Sequence, residues 1–387
     1  MTKNILIALI CLLAATGTLN PAYAKKIRPE YNVGGYLKYN KTPAYEFSAS
    51  AAPRPLTVVD QSLPPSQKAV FDQYLKDYPA TTALLAIEDG QLLFEAYQGV
   101  GRPSSEFFSM SMAKSLSSMT VGMALCRGDI KSLSLPAKEI VPEFGDGPYG
   151  RSTIRQLLMM SSGAYKPQNA GQPGFPNGVG FNARNGKPFG GASWPLRLGQ
   201  VSIGDLLWGK WWDQITHKNA NTPGAEFAYK SGDSLSLSKI VERATGRPLA
   251  GYFDDHIWRH IRSEGIAHWE TDKDGSTINS SGFQARARDW ARISIWTIDQ
   301  YGKEDCFGRY LKEATANQIP VKSGSSFRHY GYQWWVNNKI APGFWALGYA
   351  GQMMGIDPTT RRIILKFSYR MDPGSGIQIF KLLKAWP

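Results

Sequence analysis

Two apolar runs, Thr82–Ile87 and Leu92–Tyr97, are separated only by Glu88-Asp89-Gly90-Gln91. An Asp-Gly pair between such runs predicts a β-hairpin, because Gly and Asp tolerate the left-handed backbone a tight turn requires. A lone hairpin is marginal in water, so other strands must extend it and cover its apolar face. The next strand-like runs come much later, at Tyr330–Val336, Phe344–Tyr349, Met353–Ile356 and Arg362–Phe367. The stretch between them reads mainly as helix and loop, with helical patterns at Thr153–Met160, Ile203–Trp208, Ser234–Ala244 and Ala287–Asp299. Further helices are predicted over Ser66–Tyr78 and Ile377–Trp386. The expectation is an α+β (α/β) chain: an antiparallel β-sheet flanked by helices, built from both termini, with a mainly helical region inserted. Sheet residues fall at about 65–108 and 300–387, the helical region at about 109–299, and 65–387 forms one domain.

Residues 1–24 read as a secretory signal. Lys3 precedes an apolar run from Ile5 to Ala15, too short to cross a bilayer, and Ala22-Tyr23-Ala24 is a small-x-small cleavage site. Cys11 lacks the preceding small residues of a lipoprotein site. The expected location is therefore the periplasm or the exterior, with no stable membrane span after processing. Residues 25–64, rich in Pro, Tyr, Lys and Ala, read as an extended N-terminal arm packed along the body. Two cysteines remain beyond the signal. Cys126 and Cys306 could pair in an oxidising compartment, while the apolar helix before Cys126 equally suits a buried free thiol.

The formal charge is +13, but the basic residues are dispersed and no nucleic-acid motif accompanies them, so a nucleic-acid partner is not expected. The five histidines and the cysteines show no metal-ligand spacing; His256 and His260, four apart, read as surface or packing residues. No metal and no cofactor are expected. Composition says nothing of the oligomeric state.

Chemistry concentrates at Ser111-Met112-Ala113-Lys114. Residues three apart share a helix face, so Lys114 can stand beside the Ser111 hydroxyl. A desolvated lysine loses basicity and can accept the serine proton, giving a nucleophile without histidine. The pattern is short, and a second copy, Ser236-Leu237-Ser238-Lys239, lies in an ordinary helical run. Ser111 differs in starting its helix, where free N–H groups and the positive dipole end can face a reacting carbonyl. In Thr222-Pro223-Gly224-Ala225-Glu226-Phe227-Ala228-Tyr229-Lys230-Ser231, the Pro-Gly turn would present Tyr229 on a loop, and the neighbouring Lys230 would favour loss of its phenol proton. In Trp345-Ala346-Leu347-Gly348-Tyr349-Ala350-Gly351-Gln352, glycine permits close approach of another backbone or a ligand, and strand N–H groups can complete an oxyanion hole.

Together these segments resemble the serine β-lactamase and penicillin-binding protein superfamily. The resemblance is to the branch holding class C β-lactamases, related esterases and 6-aminohexanoate-dimer hydrolases, and it runs from about Thr82 to the end. Thr153-Ile154-Arg155-Gln156-Leu157-Leu158, Ile240-Val241-Glu242-Arg243, Ala287-Arg288-Asp289-Trp290 and Tyr332-Gln333-Trp334-Trp335 add to it, the last two being most similar to the dimer-hydrolase group. The resemblance implies a β-lactamase/transpeptidase-like fold, with Ser111 the acylated nucleophile, Lys114 its proton acceptor and Tyr229 the shuttle to the leaving group. It further implies an oxyanion hole from the backbone N–H groups of Ser111 and Tyr349, and pocket roles for Ser231, Tyr165 and Asn279. Where the family usually carries a Lys-Thr-Gly or His-Thr-Gly strand, this chain reads Ala346-Leu347-Gly348. Lys322-Ser323-Gly324 imitates that strand but comes too early. Loss of the cation removes a charge-assisted contact worth roughly 1.5–3 kcal/mol.

The expectation is thus an exported serine hydrolase acting on a small ester or amide. A β-lactamase or peptidoglycan DD-peptidase, and a catalytically inactive envelope-binding protein of the same fold, are the competing readings. Gly171–Pro195, rich in Gly, Pro and Asn, is a long loop that would either line the substrate entrance or form a surface insertion.

Overall fold

The computed structural model describes residues 33, 41–56, 63–164, 194–208, 222–321 and 324–385. The predicted export signal, most of the arm, Tyr165 and nearly all of the 171–195 loop lie outside them.

The described chain runs β1 (Ala44–Phe47), α1 (Pro65–Asp77), β2 (Thr81–Glu88), β3 (Gln91–Tyr97), β4 (Glu106–Phe108), α2 (Ala113–Cys126) and α3 (Ile154–Leu158). It continues with α4 (Ser231–Thr245), β5 (Ala267–Glu270), β6 (Phe283–Arg286), α5 (Ala287–Tyr301) and α6 (Cys306–Ala314). It closes with β7 (Ile319–Pro320), β8 (Phe327–Tyr330), β9 (Trp335–Asn338), β10 (Phe344–Gly348), β11 (Gln352–Asp357), β12 (Arg362–Ser368) and α7 (Ser375–Ala385).

The large antiparallel sheet has the order β3-β2-β12-β11-β10-β9-β8-β7. It joins the two ends of the chain through β2 and β12, whose register pairs Ile87 with Ile363 and Leu85 with Leu365. The Asp-Gly hairpin is present, with φ of 48° at Asp89 and 78° at Gly90, as a turn matched to strand twist demands. β2 is buried on both faces, which is why it reads as a continuous apolar run and does not alternate. Ala83, Leu85 and Ile87 face the main core shared with α2 and α5. Leu84 and Ala86 face a second core with residues of α1 and α7.

A second, smaller sheet of order β1-β5-β6-β4 was not anticipated. Strands of three or four residues carry too little periodicity to be read. Their stability comes from rings: Phe47, Phe253, Trp258, Trp269, Phe283 and Trp290 pack with centroid separations of 5.2–5.9 Å. β1 lies in the predicted arm, so that part of the arm is an edge strand on β5.

The predicted strand Tyr330–Val336 is broken: Tyr330 ends β8, residues 331–334 form a turn, and Trp335 and Val336 begin β9. Gln333 takes φ of 61°, and its amide donates to the Leu158 carbonyl of α3. α6 lies within the 300–387 stretch that was expected to contribute to the sheet, ahead of its strands. Its first residue, Cys306, forms a disulfide with Cys126, the last residue of α2, across a separation of 180 residues.

Candidate active site

Ser111 sits in a single 3-10 turn, Met110–Met112, that feeds directly into α2. The turn is held from two sides. The Ser109 amide donates to the Phe283 carbonyl of β6 at 2.8 Å, continuing the β4–β6 pairing. On the other side lies the end of β10: a Cβ on Gly348 would fall 2.5 Å from the Ser109 carbonyl oxygen and 2.9 Å from Met110 Cβ. Ser111 therefore stands where the two sheets meet. Met110, just before it, has φ of 47°, a left-handed conformation that a side-chain-bearing residue keeps only when its surroundings impose it.

One helical turn on, Lys114 is 1% exposed. Its Nζ donates to the Ser280 carbonyl at 2.6 Å and lies 3.2 Å from Ser111 Oγ. The same Nζ is 5.3 Å from the centroid of the Tyr229 ring. Ser111, Lys114 and Tyr229 are thus brought together, although 115 residues of sequence separate Lys114 from Tyr229.

Tyr229 lies on the loop before α4. That loop is pinned to the end of α3, with the Gly224 amide on Ser161 O at 2.7 Å and the Ala228 amide on Met160 O at 2.8 Å. The Tyr229 ring stacks on Trp335 of β9 at 5.4 Å and meets Tyr330 of β8 edge-on at 6.1 Å. Lys230 does not serve Tyr229 as the sequence suggested. Its Nζ turns to the Ala228 carbonyl and lies 3.4 Å from Asp233 Oδ2. Asp233 also accepts the Ser162 amide and hydroxyl. Burial pushes Lys230 below and Asp233 above their ordinary pKa values, and their mutual attraction opposes both shifts. The cation beside the Tyr229 ring is Lys114.

Of the remaining predicted site residues, Ser231 is the buried first residue of α4. Asn279 is fully buried: its Nδ2 donates to Ser234 O at 2.6 Å, and its main-chain carbonyl accepts from Ser117 Oγ. It braces α2 against α4, and the contact with Lys114 falls one residue later, on the Ser280 main chain. Tyr349 opens the turn after β10 and is 38% exposed. Ala346 is 1% exposed and packs in the main core, so a methyl stands where the resemblance led a cation to be looked for. In the second Ser-x-x-Lys copy, Ser236 Oγ donates to Gly232 O, and Lys239 Nζ reaches Glu242 Oε1 and Ser276 Oγ. That lysine engages neither Ser236 nor the cluster above.

Sequence reasoning missed the groups that hold this cluster through the main chain. Gln333 is the chief one. Its carbonyl accepts from Ser115 Oγ of α2, its Oε1 from Ser234 Oγ of α4, and its Nε2 donates to the Leu157 and Leu158 carbonyls of α3. The only signal for it was a polar residue inside an aromatic run. Among the described residues, no group of three His, Cys, Asp or Glu side chains is placed to hold a metal ion.

A helical layer packed on a both-termini antiparallel sheet, with a serine–lysine–tyrosine cluster at its border whose lysine is buried and whose serine and tyrosine are half-buried, defines the β-lactamase/transpeptidase architecture. The β-lactamase family model matches residues 69–382, and the chain belongs to that family. It is 25% identical over 305 residues to the 6-aminohexanoate-dimer hydrolase of Paenarthrobacter ureafaciens, covering 76% of this chain and 74% of that protein. It is 30% identical over 225 residues to esterase EstB of Burkholderia gladioli, covering 54% and 52%. Among solved structures, a putative 6-aminohexanoate-dimer hydrolase from Bacillus anthracis superimposes with a TM-score of 0.67 at 20% identity, covering 94% of this chain and 95% of that one.

Proposed function

We propose that this serine hydrolase cleaves a small ester or amide through an acyl-enzyme on Ser111. The observation that carries the reading is the position of Lys114 Nζ, bonded to the Ser280 carbonyl and 3.2 Å from Ser111 Oγ, with Tyr229 alongside. A neutral Nζ keeps two N–H donors, one of them spent on Ser280, and can turn its lone pair to the Ser111 hydroxyl. The serine proton passes to Lys114 as Oγ bonds the substrate carbonyl carbon. The resulting oxyanion would be met by the N–H groups of Ser111 and Tyr349. Collapse breaks the ester or amide bond, and the departing alcohol or amine takes a proton through Tyr229. Water then attacks the acyl-enzyme, passing its proton back along the same groups and freeing Ser111.

Two observations support export: the signal-like residues 1–24 and the Cys126–Cys306 disulfide, a bond typical of oxidising compartments. The buried Ala346 favours an esterase or amidase over a β-lactamase or DD-peptidase, because it offers no cation for a substrate carboxylate.

The test is fluorophosphonate labelling of the pure protein with peptide mapping, followed by a panel of p-nitrophenyl esters, nitrocefin and linear amide dimers. Labelling at Ser111, lost in Ser111→Ala, and a drop of at least about a hundredfold in kcat for Tyr229→Phe are expected. Nitrocefin turnover exceeding ester turnover would move the reading to a β-lactamase. No labelling at all would favour a binding protein of this fold.

A further inference from the structure

The turn that carries the Tyr349 N–H has a backbone that must be held in place. β10 ends at Gly348 and β11 starts at Gln352, the last facing pair of that hairpin. Tyr349-Ala350-Gly351 is therefore a three-residue loop. Ala350 sits at φ 62°, ψ 15°, and Gly351 at φ 91°. Glycine adopts such angles freely, but alanine does not, because its Cβ crowds the following carbonyl.

A buried polar bracket grips this loop from the β12 side. Gln352 Nε2 donates to the Tyr349 carbonyl at 3.0 Å and to the Ser368 carbonyl at 2.6 Å. Gln352 Oε1 accepts the Ser368 amide at 3.1 Å. Ser368 Oγ donates to the Ala350 carbonyl at 2.6 Å. Both side chains are fully buried. The register of β12 on β2 shifts between Phe367 and Ser368, an irregularity of the kind that re-aims a strand end near a site. Below Gly351 there is no slack: a Cβ there would lie 2.7 Å from both Lys366 Nζ and Ser368 Oγ. Polar groups satisfied in this way are rigid, since breaking one bond strands a buried partner.

We propose that Gln352 and Ser368 are positioning residues for the oxyanion hole. By holding the Tyr349 and Ala350 carbonyls against β12, they fix the Tyr349–Ala350 and Ala350–Gly351 peptide planes, and so restrain the adjoining Gly348–Tyr349 peptide, whose N–H is read as the oxyanion donor. The proposal rests on the reading of that N–H as an oxyanion donor. An oxyanion donor acts through preorganisation, so loosening the loop should weaken binding of the tetrahedral state and leave ground-state binding nearly untouched.

The test uses the full chain carrying Gln352→Met, which keeps length without polar bonds, and Ser368→Ala, which removes a single bond. Three quantities are read: kcat and KM on a p-nitrophenyl ester, inhibition by an alkyl boronic acid as a tetrahedral mimic, and amide hydrogen exchange over 349–351. For Gln352→Met, kcat should fall about 10–100-fold, less than or equal to the effect of deleting a donor outright. Boronate affinity should fall by the same factor, KM should stay within about threefold, and exchange at the loop should rise at least tenfold. Ser368→Ala should move all of these in the same direction by a smaller factor, which covers the case in which Gln352→Met folds poorly. Folded variants with wild-type kcat, boronate affinity and loop exchange would overturn the proposal, as would equal losses in boronate affinity and ground-state binding. A wild-type protein that neither hydrolyses esters nor labels at Ser111 would defeat the functional reading. Loop exchange would then still decide the bracket by itself.

Discussion

Removing the Cys126–Cys306 bond gives the most quantitative prediction. The two residues are 180 apart in sequence, so the bond closes a loop that the unfolded chain would otherwise explore freely. The loop-closure relation puts the resulting stabilisation at about 5 kcal/mol at 25 °C. Little should be added to this by packing lost in the folded state, because Cys126 is half-buried and Cys306 exposed. At the melting entropy typical of globular proteins, a chain of this length should lose about 6–8 °C in Tm. Activity should behave differently. The bond lies at the far end of α2, roughly 20 Å from Ser111 at the helical rise per residue. The assay compares the oxidised mature protein with Cys126→Ser/Cys306→Ser by thermal unfolding without reductant, and with the reduced wild type. The variant and the reduced protein should melt together, below the oxidised form, while ester turnover at 25 °C stays within about twofold. Thiol titration of the denatured, unreduced protein should find no free cysteine. A Tm unchanged within about 2 °C, or two titratable thiols, would show that the bond does not stabilise the fold in this way.

Two further outcomes follow from single positions. Gly348→Ala drives a Cβ to 2.5 Å from the Ser109 carbonyl, so the strand or the Ser111 turn must shift by several tenths of an ångström; fluorophosphonate labelling should slow about 10–100-fold, since small misplacements at a reacting centre are that costly, and an unchanged rate would show the contact to be soft. Lys366 is fully buried and burial pulls its pKa down to about 8 from its ordinary 10.5. Below pH 8 the folded protein holds a desolvated ammonium, and between pH 8 and 10.5 it releases the proton while the unfolded chain keeps it, so this group makes stability rise with pH across that window. Lys366→Met should therefore be more stable at pH 7 by about 1–3 kcal/mol and should lose the rise, as read by denaturant unfolding from pH 7 to 10; a destabilised variant would contradict this.

Much of the candidate site was legible because its parts are local. Ser111 and Lys114 are one helical turn apart, and Tyr229 sits between a Pro-Gly turn and a helix start; such features are written in three to ten consecutive residues. The group that reaches Lys114 is the Ser280 main-chain carbonyl, next to Asn279, and a carbonyl leaves no mark on residue identity. The role given to Lys230 failed for a similar reason. Adjacency in sequence placed it beside Tyr229, while Asp233, one turn along α4, claims its ammonium.

The β2–β3 hairpin, the sheet that joins strands from both parts of the chain, and the one-turn spacing of Ser111 and Lys114 could be read from short-range periodicity and turn chemistry. The missing cation at Ala346 could be read only through the resemblance to the family's strand motif. Four features emerge only in three dimensions: which of the two Ser-x-x-Lys copies has a tyrosine beside its lysine, the pairing of Cys126 with Cys306, the second sheet, and the anchoring of the surroundings of Ser111 by Gln333 and Gln352. These depend on contacts between residues tens to hundreds of positions apart. The energy of such contacts lies in burial and in main-chain hydrogen bonds that appear only once the chain has closed on itself.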